Sequence, residues 1–175
     1  MHRRAALLLA ARVPLARLGV LALPVAAASL AGCGFQLRSA PQMPFQRLAL
    51  SGFAPRSPMA AAIRRTMEPG VQVVATPAQA QVVLAASTDA RERNVTVSTV
   101  AGQVRELQLR ARLKFSVLRP DGRELLGPAE LVLVRDMSYS ETQALAKEQE
   151  EAALWREMES DIALQVVRRL SSVRL

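Results

Sequence analysis

The chain has 175 residues, of which 50% are hydrophobic and only 3% aromatic, and its formal net charge is +8. This length suits one compact domain. Four arginines in residues 1–32 account for half of the net charge, so the remainder is mildly basic. No basic stretch is interleaved with aromatic residues that could stack on bases, and this composition argues against nucleic acid as a partner.

Histidine and cysteine are nearly absent, which limits the chemistry that the chain can perform. The single histidine is His2 and the single cysteine is Cys33. Removal of residues 1–32 as an export signal would leave no histidine. Catalytic pairs of serine or cysteine with histidine, and zinc sites built from these residues, are then excluded. We therefore predict no metal site and no non-covalent cofactor, and any acid–base catalysis would depend on carboxylates or lysine.

Residues 1–32 are typical of a cleavable export signal. Residues 1–17 are basic, and residues 18–31 form an uncharged apolar run that is too short to span a bilayer. The order Leu30, two small residues and Cys33 resembles the bacterial lipoprotein signal. We expect cleavage before Cys33, which would then carry an N-acyl chain and an S-diacylglycerol. The alternative is an uncleaved membrane anchor with an incidental cysteine.

The residue after the cysteine bears on the destination of the protein. It is Gly34, whereas an aspartate there would resemble an inner-membrane retention mark. More than one acyl chain anchors a protein stably. We therefore predict a lipid-anchored protein on the periplasmic side of the outer membrane, with a lipidated tether at residues 33–44 and one domain at residues 45–175.

The domain begins with the pattern of a β-α-β unit. Residues 45–51 alternate as a strand does. Ser57 is a suitable N-cap and Pro58 a suitable first helical residue, and the dipeptide at residues 69–70 would end the helix. Residues 71–74 form a short second strand. Two strands joined by a helix in this way are expected to be parallel, with a right-handed crossover.

The middle of the chain predicts long antiparallel strands. Residues 81–88 and 94–99 read as one long strand with a bulge, and residues 100–103 read as a turn. In residues 106–117 apolar and polar side chains alternate, as in a strand with one buried face. The apolar positions are Leu107, Leu109, Ala111, Leu113, Phe115 and Val117. The polar positions are Glu106, Gln108, Arg110, Arg112, Lys114 and Ser116.

The chain ends with a returning strand at residues 130–139, after a turn at residues 120–122, and then a long helix. Ser140 and Gln143 match a capping box. An apolar stripe follows at helical spacing, formed by Trp155, Met158, Ile162, Val166 and Leu170. The predicted fold class is α+β, with two helices packed on one face of a mixed, mostly antiparallel sheet of four to five strands.

Because both helices would cover one face of this sheet, Arg110, Arg112 and Lys114 should point away from them. One interpretation is an ordinary solvated strand face. The other is a surface that meets a protein or an anionic ligand, since basic side chains suit phosphates and carboxylates.

Two segments resemble the LptE family of LPS-assembly lipoproteins. Residues 32–38, GCGFQLR, resemble the start of the mature family members, and residues 143–148, QALAKE, resemble the opening of their long C-terminal helix. The order of elements between these segments also matches. The resemblance implies an LptE-like sandwich that plugs a large outer-membrane β-barrel, LptD, and helps it to assemble. It also implies lipopolysaccharide (LPS) binding during transfer to the outer leaflet, and no catalysis.

The resemblance places a basic LPS-contacting position on Lys147. The alternative interpretation is an exposed helical lysine paired with Glu151 at i+4. Some relatives carry an arginine in the turn before the long strand, whereas residues 99–102 contain no base here; Arg91, Arg93 or Arg105 could substitute. The candidate LPS-binding residues are therefore Lys147, Arg110, Arg112 and Lys114.

Two other functions are compatible with parts of the sequence. The protein could be an accessory binding lipoprotein of another envelope transport or barrel-assembly complex. It could also be an envelope enzyme that uses paired carboxylates from loops, for which Asp89 with Glu92, or Asp121 with Glu124, are the candidates. Both pairs also resemble ordinary turn chemistry.

Overall fold

The computed structural model describes residues 42–68 and 70–175. The predicted export signal, the lipidation site Cys33 and most of the predicted tether lie outside these residues. The described residues belong to one compact unit. Its main elements are β1 (Arg47–Ser51), α1 (Pro58–Met67), β2 (Gln72–Val74), β3 (Val82–Ser98), β4 (Val104–Leu118), β5 (Glu124–Ser138) and α2 (Ala144–Ser171).

The five strands form one mixed sheet in the order β2-β1-β3-β4-β5. β1 is parallel to both β2 and β3, and the pairs β3–β4 and β4–β5 are antiparallel. The predicted parallel pairing within the β-α-β unit is therefore confirmed. With α1 and α2 contributing to a single core against this sheet, the predicted α+β fold class is confirmed as well.

Helix α1 begins where the sequence predicts. The hydroxyl of Ser57 accepts a hydrogen bond from the backbone N–H of Ala60 at 3.0 Å, and Pro58 occupies the first turn. Met59, Ile63 and Met67 lie at i, i+4 and i+8 and are all buried. The cap satisfies a backbone donor that has no partner within the helix, and the apolar stripe fixes which face meets the sheet.

The long strands confirm the predicted division of faces. The six alternate apolar residues of β4, from Leu107 to Val117, are each at most 1% exposed. β3 is one continuous strand with bulges near Ser87 and Thr96, as expected for a long, irregular strand. The polar residues of β4 lie on the opposite, open face of the sheet.

Two local predictions were wrong. β5 begins at Glu124, six residues earlier than expected, because Gly127 and Pro128 are accommodated as an irregularity on an edge strand, where proline is tolerated. The predicted capping box does not form. The Ser140 hydroxyl bonds the hydroxyl of Thr142 instead, and a short 3-10 helix at Glu141–Gln143 precedes α2.

The two halves of α2 differ in burial. All eight of its buried residues lie from Trp155 onward, which confirms the predicted apolar stripe. None of the residues from Ala144 to Leu154 is buried. Among the described helices, neither has the length and apolar character needed to cross a membrane.

Candidate ligand-binding surfaces

The first candidate surface is the open face of the sheet. Arg110, Arg112 and Lys114 follow each other at every second position of β4, opposite the buried face, and each is partly exposed. Neighbouring strands supply carboxylates: Glu130 lies directly opposite Lys114, with Nζ 3.6 Å from Oε2, and Glu92, which lies opposite Arg110, reaches diagonally to Arg112, with Oε1 2.6 Å from Nη2. Two of the three cations are therefore paired with an acid of the same sheet.

Arg110 differs from its two neighbours on β4. It forms no ion pair with any described residue; its Nε is buried without a hydrogen-bond partner, as is the Nε of Arg112. Opposite it on β5 lies Val134, and the next position along, Val132, lies opposite Arg112. These valines are 36% and 43% exposed. The open face thus combines one arginine that has no acidic partner among the described residues with two partly exposed valines.

The second candidate surface surrounds Lys147, in the first turn of α2. Lys147 Nζ lies 2.9 Å from the Ser138 hydroxyl at the end of β5 and 2.8 Å from Glu150 Oε2. Its side chain is only 14% exposed. The interpretation of Lys147 as an exposed lysine paired with Glu151 is therefore wrong in both respects. Glu151 instead contacts Arg93 and the indole N–H of Trp155.

The three arginines that could substitute for a basic turn have different environments. Arg91 is paired with the buried Glu159 and lies over the Trp155 ring, with its guanidinium carbon 5.2 Å from the ring centroid. Arg93 is paired with Glu151 at 3.1 Å. Arg105 is exposed, and its only side-chain bond to a described residue is to the Gln103 amide at 3.3 Å. Of the three, Arg105 is the one available for a ligand.

Arg105 and Lys147 lie at the same end of the domain. The backbone N–H of Tyr139 donates to the Arg105 carbonyl at 2.8 Å, and Lys147 bonds the preceding residue, Ser138. A shallow pocket of about 200 Å³ beside Arg105 is lined by Gln103, Val104, Ser140, Glu141 and Thr142. The structure therefore brings two cations together at the end where the β3–β4 turn lies.

The four predicted LPS-binding residues do not form one site. Lys114 pairs with Glu130, eight positions along β5 from Ser138, which corresponds to roughly 26 Å of extended strand. Lys147 thus lies far from the basic residues at the other end of the row, and Arg110 lies between them. The sequence could not reveal this separation, because it depends on the register of β4 with β5.

The buried ion pair of Arg91 with Glu159 was not predicted. Glu159 is 3% exposed. A signal was present in the sequence, since Glu159 stands four residues after Trp155 and three before Ile162, on the stripe that faces the core. A carboxylate on such a stripe requires a cationic partner.

Of the two carboxylate pairs considered for catalysis, only the pair of Asp121 with Glu124 lies at a loop. Asp89 and Glu92 lie within β3 on opposite faces of the sheet, since Asp89 is paired with the buried Leu113 and Glu92 with Arg110. Asp89 accepts a 2.5 Å hydrogen bond from the Ser57 hydroxyl. Asp121 accepts the backbone N–H of Arg123 within the turn. In the described part of the chain, no group of acidic residues has a geometry that could hold a metal ion.

A family model described as LptE, lipopolysaccharide-assembly, matches residues 45–170. This span includes all five strands of the sheet, α1, and α2 except its last residue. The chain belongs to the LptE family. It is thus a member of a lipoprotein family involved in LPS assembly, and the resemblance inferred from the two short segments is confirmed.

Individual relatives agree with this assignment. An LPS-assembly lipoprotein LptE from Photorhabdus laumondii is 29% identical over 160 residues, covering 90% of this chain and 87% of that protein. Another, from Yersinia enterocolitica, is 33% identical over 158 residues, covering 88% and 75%. Both relatives are named as LPS-assembly lipoproteins, in agreement with the family match.

Solved structures share the fold. An uncharacterized lipoprotein B from Nitrosomonas europaea superposes with a TM-score of 0.66 at 25% identity, covering 79% of this chain and 91% of that one. The rare lipoprotein B from Shewanella oneidensis gives a TM-score of 0.58 at 26% identity, covering 73% and 95%. The sheet with two helices is therefore shared with other bacterial lipoproteins.

Proposed function

We propose that this chain is the lipoprotein subunit of an outer-membrane LPS translocon, in which it plugs an LptD-type β-barrel and aids its assembly. The observation that carries the proposal is the LptE family match across residues 45–170. In the proposal, residues 1–32 are cleaved, residues 33–44 form the tether, and residues 45–175 form the plug. An N-acyl chain and an S-diacylglycerol on Cys33 hold it at the periplasmic side of the outer membrane.

The exterior of the domain suits a plug. The lumen of an outer-membrane barrel is polar, so a protein inside it needs a folded domain with a polar surface. The open sheet face is covered by partly exposed charged residues, two of which are paired with acids. A lipid anchor would keep this domain near its barrel and raise its effective concentration.

We further propose that Lys147 and Arg105 contact the phosphate groups of LPS during its transfer. Arg105 has uncommitted guanidinium donors, and Lys147 can exchange the Glu150 carboxylate for a phosphate. Arg110 is the second candidate, because it is the cation on the open face without an acidic partner among the described residues. Arg112 and Lys114 are weaker candidates, since each is paired with an acid on the open face and lies toward the other end of β4, away from Arg105.

The proposed role consists of binding and assembly, with no catalysis. The family name concerns assembly. The strand geometry also places Asp89 and Glu92 on opposite faces of the sheet, and the Asp121 carboxylate accepts a hydrogen bond within its own turn. Hydrolysis of any envelope polymer by the pure protein would contradict this part of the proposal.

The LPS contact is tested by binding of purified LPS to the full chain. We expect Lys147→Glu and Arg105→Glu each to weaken binding at least about tenfold, because each replaces an attractive charge by a repulsive one. Lys114→Glu is the matched control, with the same charge change at a paired cation whose partner Glu130 lies roughly 26 Å along β5 from Ser138. Equal affinity of all three variants and the unmodified protein would remove the assignment.

The cellular role is tested by depletion of the protein. The proposal predicts loss of LPS from the cell surface, since the translocon lacks a subunit. A different export defect with normal surface LPS would contradict it. Re-expression of the Lys114→Glu variant should restore surface LPS more completely than re-expression of the Lys147→Glu variant.

A further inference from the structure

The outer edge of β5 carries a long regular run of backbone without a neighbouring strand. β5 stands at the end of the sheet, and no strand in residues 42–68 or 70–175 pairs with its outer side. From Ala129 to Ser138 its pairing with β4 runs without a bulge. Ten such residues extend for roughly 34 Å. Unpaired edges of this length are templates for the addition of another strand.

The register shows which backbone groups point outward. The N–H of Tyr139 donates to the Arg105 carbonyl of β4 at 2.8 Å. In an antiparallel pair, successive residues alternate between facing the partner and facing away. Residues 131, 133, 135 and 137 therefore face β4. Glu130, Val132, Val134 and Asp136 present their N–H and C=O groups to the outside.

A side chain already occupies one of these outward groups. Arg135 Nη1 donates to the carbonyl of Val134 at 3.1 Å. This bond lies where the N–H of an added strand would donate. It agrees with the direction inferred from the register, and it shows that the edge carbonyl is accessible to a donor.

The other edges of the sheet differ from this one. β2 has only three residues. β3 pairs with β1 only as far as Ala85, but its free part contains both bulges and the charged residues Asp89, Arg91, Glu92 and Arg93. Bulges and charges protect edges against pairing. The β5 edge instead carries four consecutive apolar residues, Leu131 to Val134. Its charged residues already have partners within this chain, namely Lys114, Asp161 and Gln108.

We propose that the outer edge of β5, residues 129–138, binds an extended segment of a partner protein as an added antiparallel or parallel strand. The partner segment carries apolar side chains at alternate positions. On the open face these would lie beside Val132 and Val134, which are 43% and 36% exposed. On the helix face the added strand would meet the ion pair of Arg135 with Asp161, whose atoms are 3.8 Å apart, so polar side chains fit there.

A second copy of this chain would bring like charges together in the register that aligns the two exposed valines. In an antiparallel pair of two β5 strands, the register that places Val132 opposite Val134 also places Glu130 opposite Asp136. The twofold symmetry produces this repulsion twice, and like charges directly opposite each other are destabilising. This repulsion disfavours that register, and the proposal assigns the edge to a different protein.

This inference rests on the proposed function for the identity of that protein. Strands of an outer-membrane barrel alternate between apolar and polar side chains, which is the pattern that the edge requires. A closed barrel has no free edge. The segment would thus come from a barrel chain before closure, and strand addition on β5 would be the contact by which the lipoprotein aids assembly.

Hydrogen–deuterium exchange of the full chain tests the inference without the barrel. The probe is a peptide of alternating valine and threonine between terminal lysines, and the control peptide has the same composition in two blocks. We expect the alternating peptide to slow exchange in residues 129–138 at least about tenfold, with residues 88–98 of β3 unchanged. The block peptide should protect less.

Two proline variants sharpen the test. Val132→Pro removes an outward N–H and keeps the bonds to β4, so protection should be lost. Val97→Pro changes a valine of β3 that is as exposed as Val132, at 43%, and should leave the protection of β5 by the peptide unchanged. Thermal unfolding checks that both variants fold, and the comparison of peptides on the unmodified chain stands even if one does not.

The inference is overturned if the alternating peptide leaves β5 exchange unchanged, or slows β3 equally. It is also overturned if the outward amides of Val132 and Val134 are already protected from exchange in the free chain, since another part of the same chain would then occupy the edge. Failure of the proposed function has a different signature. A chain that binds the peptide but recovers no barrel from membranes loses the proposed function alone.

Discussion

The two ends of the domain are built differently. The broad end consists of β1, β2, α1 and residues 155–171 of α2, and it contains most of the core: Leu48, Ile63, Ile162, Val166 and Leu170 are all fully buried there. The narrow end consists of residues 94–107 around the β3–β4 turn and residues 144–154 of α2. Val95, Val100 and Leu145 are exposed there, and polar contacts attach the helix to the sheet.

The two ends therefore contribute differently to the stability of the domain and to the proposed binding of a ligand. Apolar burial at the broad end supplies the free energy of folding, because each buried aliphatic side chain stabilises by about 1.5 to 3 kcal/mol. Polar contacts at the narrow end contribute less to stability than this core, and charged groups of a ligand can replace them. The proposed LPS contacts, Arg105 and Lys147, lie at the narrow end, where exchange leaves the core undisturbed.

The largest expected contrast compares one apolar residue from each half of α2. Ile162→Ala should lower the free energy of unfolding by about 4 kcal/mol, because it leaves a cavity in a fully packed core. Leu145→Ala removes a side chain that is 71% exposed and should change it by less than about 0.5 kcal/mol. Denaturant unfolding measures both, and similar losses would contradict the division between the ends.

Two glycines give a second contrast. Gly52 has φ +78°, and a Cβ there would stand 2.0 Å from the Ala86 carbonyl oxygen. Gly52→Ala should therefore destabilise by about 3 kcal/mol. Gly102 in the β3–β4 turn has φ +80°, but a Cβ there would meet no atom within 4 Å. Gly102→Ala should lose only about 1 kcal/mol, from the strained backbone. Equal losses in urea titrations would show that crowding at Gly52 is unimportant.

The ion pair of Arg91 with Glu159 lies where the two ends meet. Glu159→Gln removes the charge of a buried carboxylate and leaves Arg91 without its partner, so we expect a loss of about 2 kcal/mol, reduced by the partial exposure of Arg91. Asp161→Asn is the control, since Asp161 is half exposed and 3.8 Å from Arg135. Thermal unfolding of both variants should show a clear shift only for Glu159→Gln.

A smaller loss of stability than at Glu159 is expected at Lys147. Lys147→Met removes its bonds to Ser138 and Glu150 but keeps the aliphatic stem, and should lower the free energy of unfolding by about 1 kcal/mol. The same variant should weaken LPS binding. A stability loss as large as that of Glu159→Gln would mean that Lys147 is a structural anchor of α2.

Much of the fold could be predicted because periodicity reports burial directly. The alternation in β4, the Ser57–Pro58 start of α1 and the stripe from Trp155 to Leu170 each follow from one local rule, and each is confirmed. The early start of β5 was missed because Gly127 and Pro128 resemble loop residues, whereas an edge strand tolerates them. The capping box failed because Ser140 bonds Thr142 instead.

The candidate site was less predictable, since it depends on contacts between distant residues. The partners of Arg112, Lys114 and Arg93 are set by strand register and helix packing, which the spacing of charges cannot reveal. Lys147 was expected to be exposed because i, i+4 spacing considers only its own helix, yet Ser138 of β5 draws the ammonium group inward. Cys33 lies outside the described residues, so its lipidation stays a prediction.

The most direct test of the account is recovery of the full-length protein, by an affinity tag, from outer membranes solubilised in detergent. Because we propose a plug held within its partner, a single large β-barrel should be recovered with it in a 1:1 ratio, and mass spectrometry should find three acyl chains on Cys33. Recovery of the lipoprotein alone, or with soluble periplasmic proteins in place of a barrel, would contradict the proposed role.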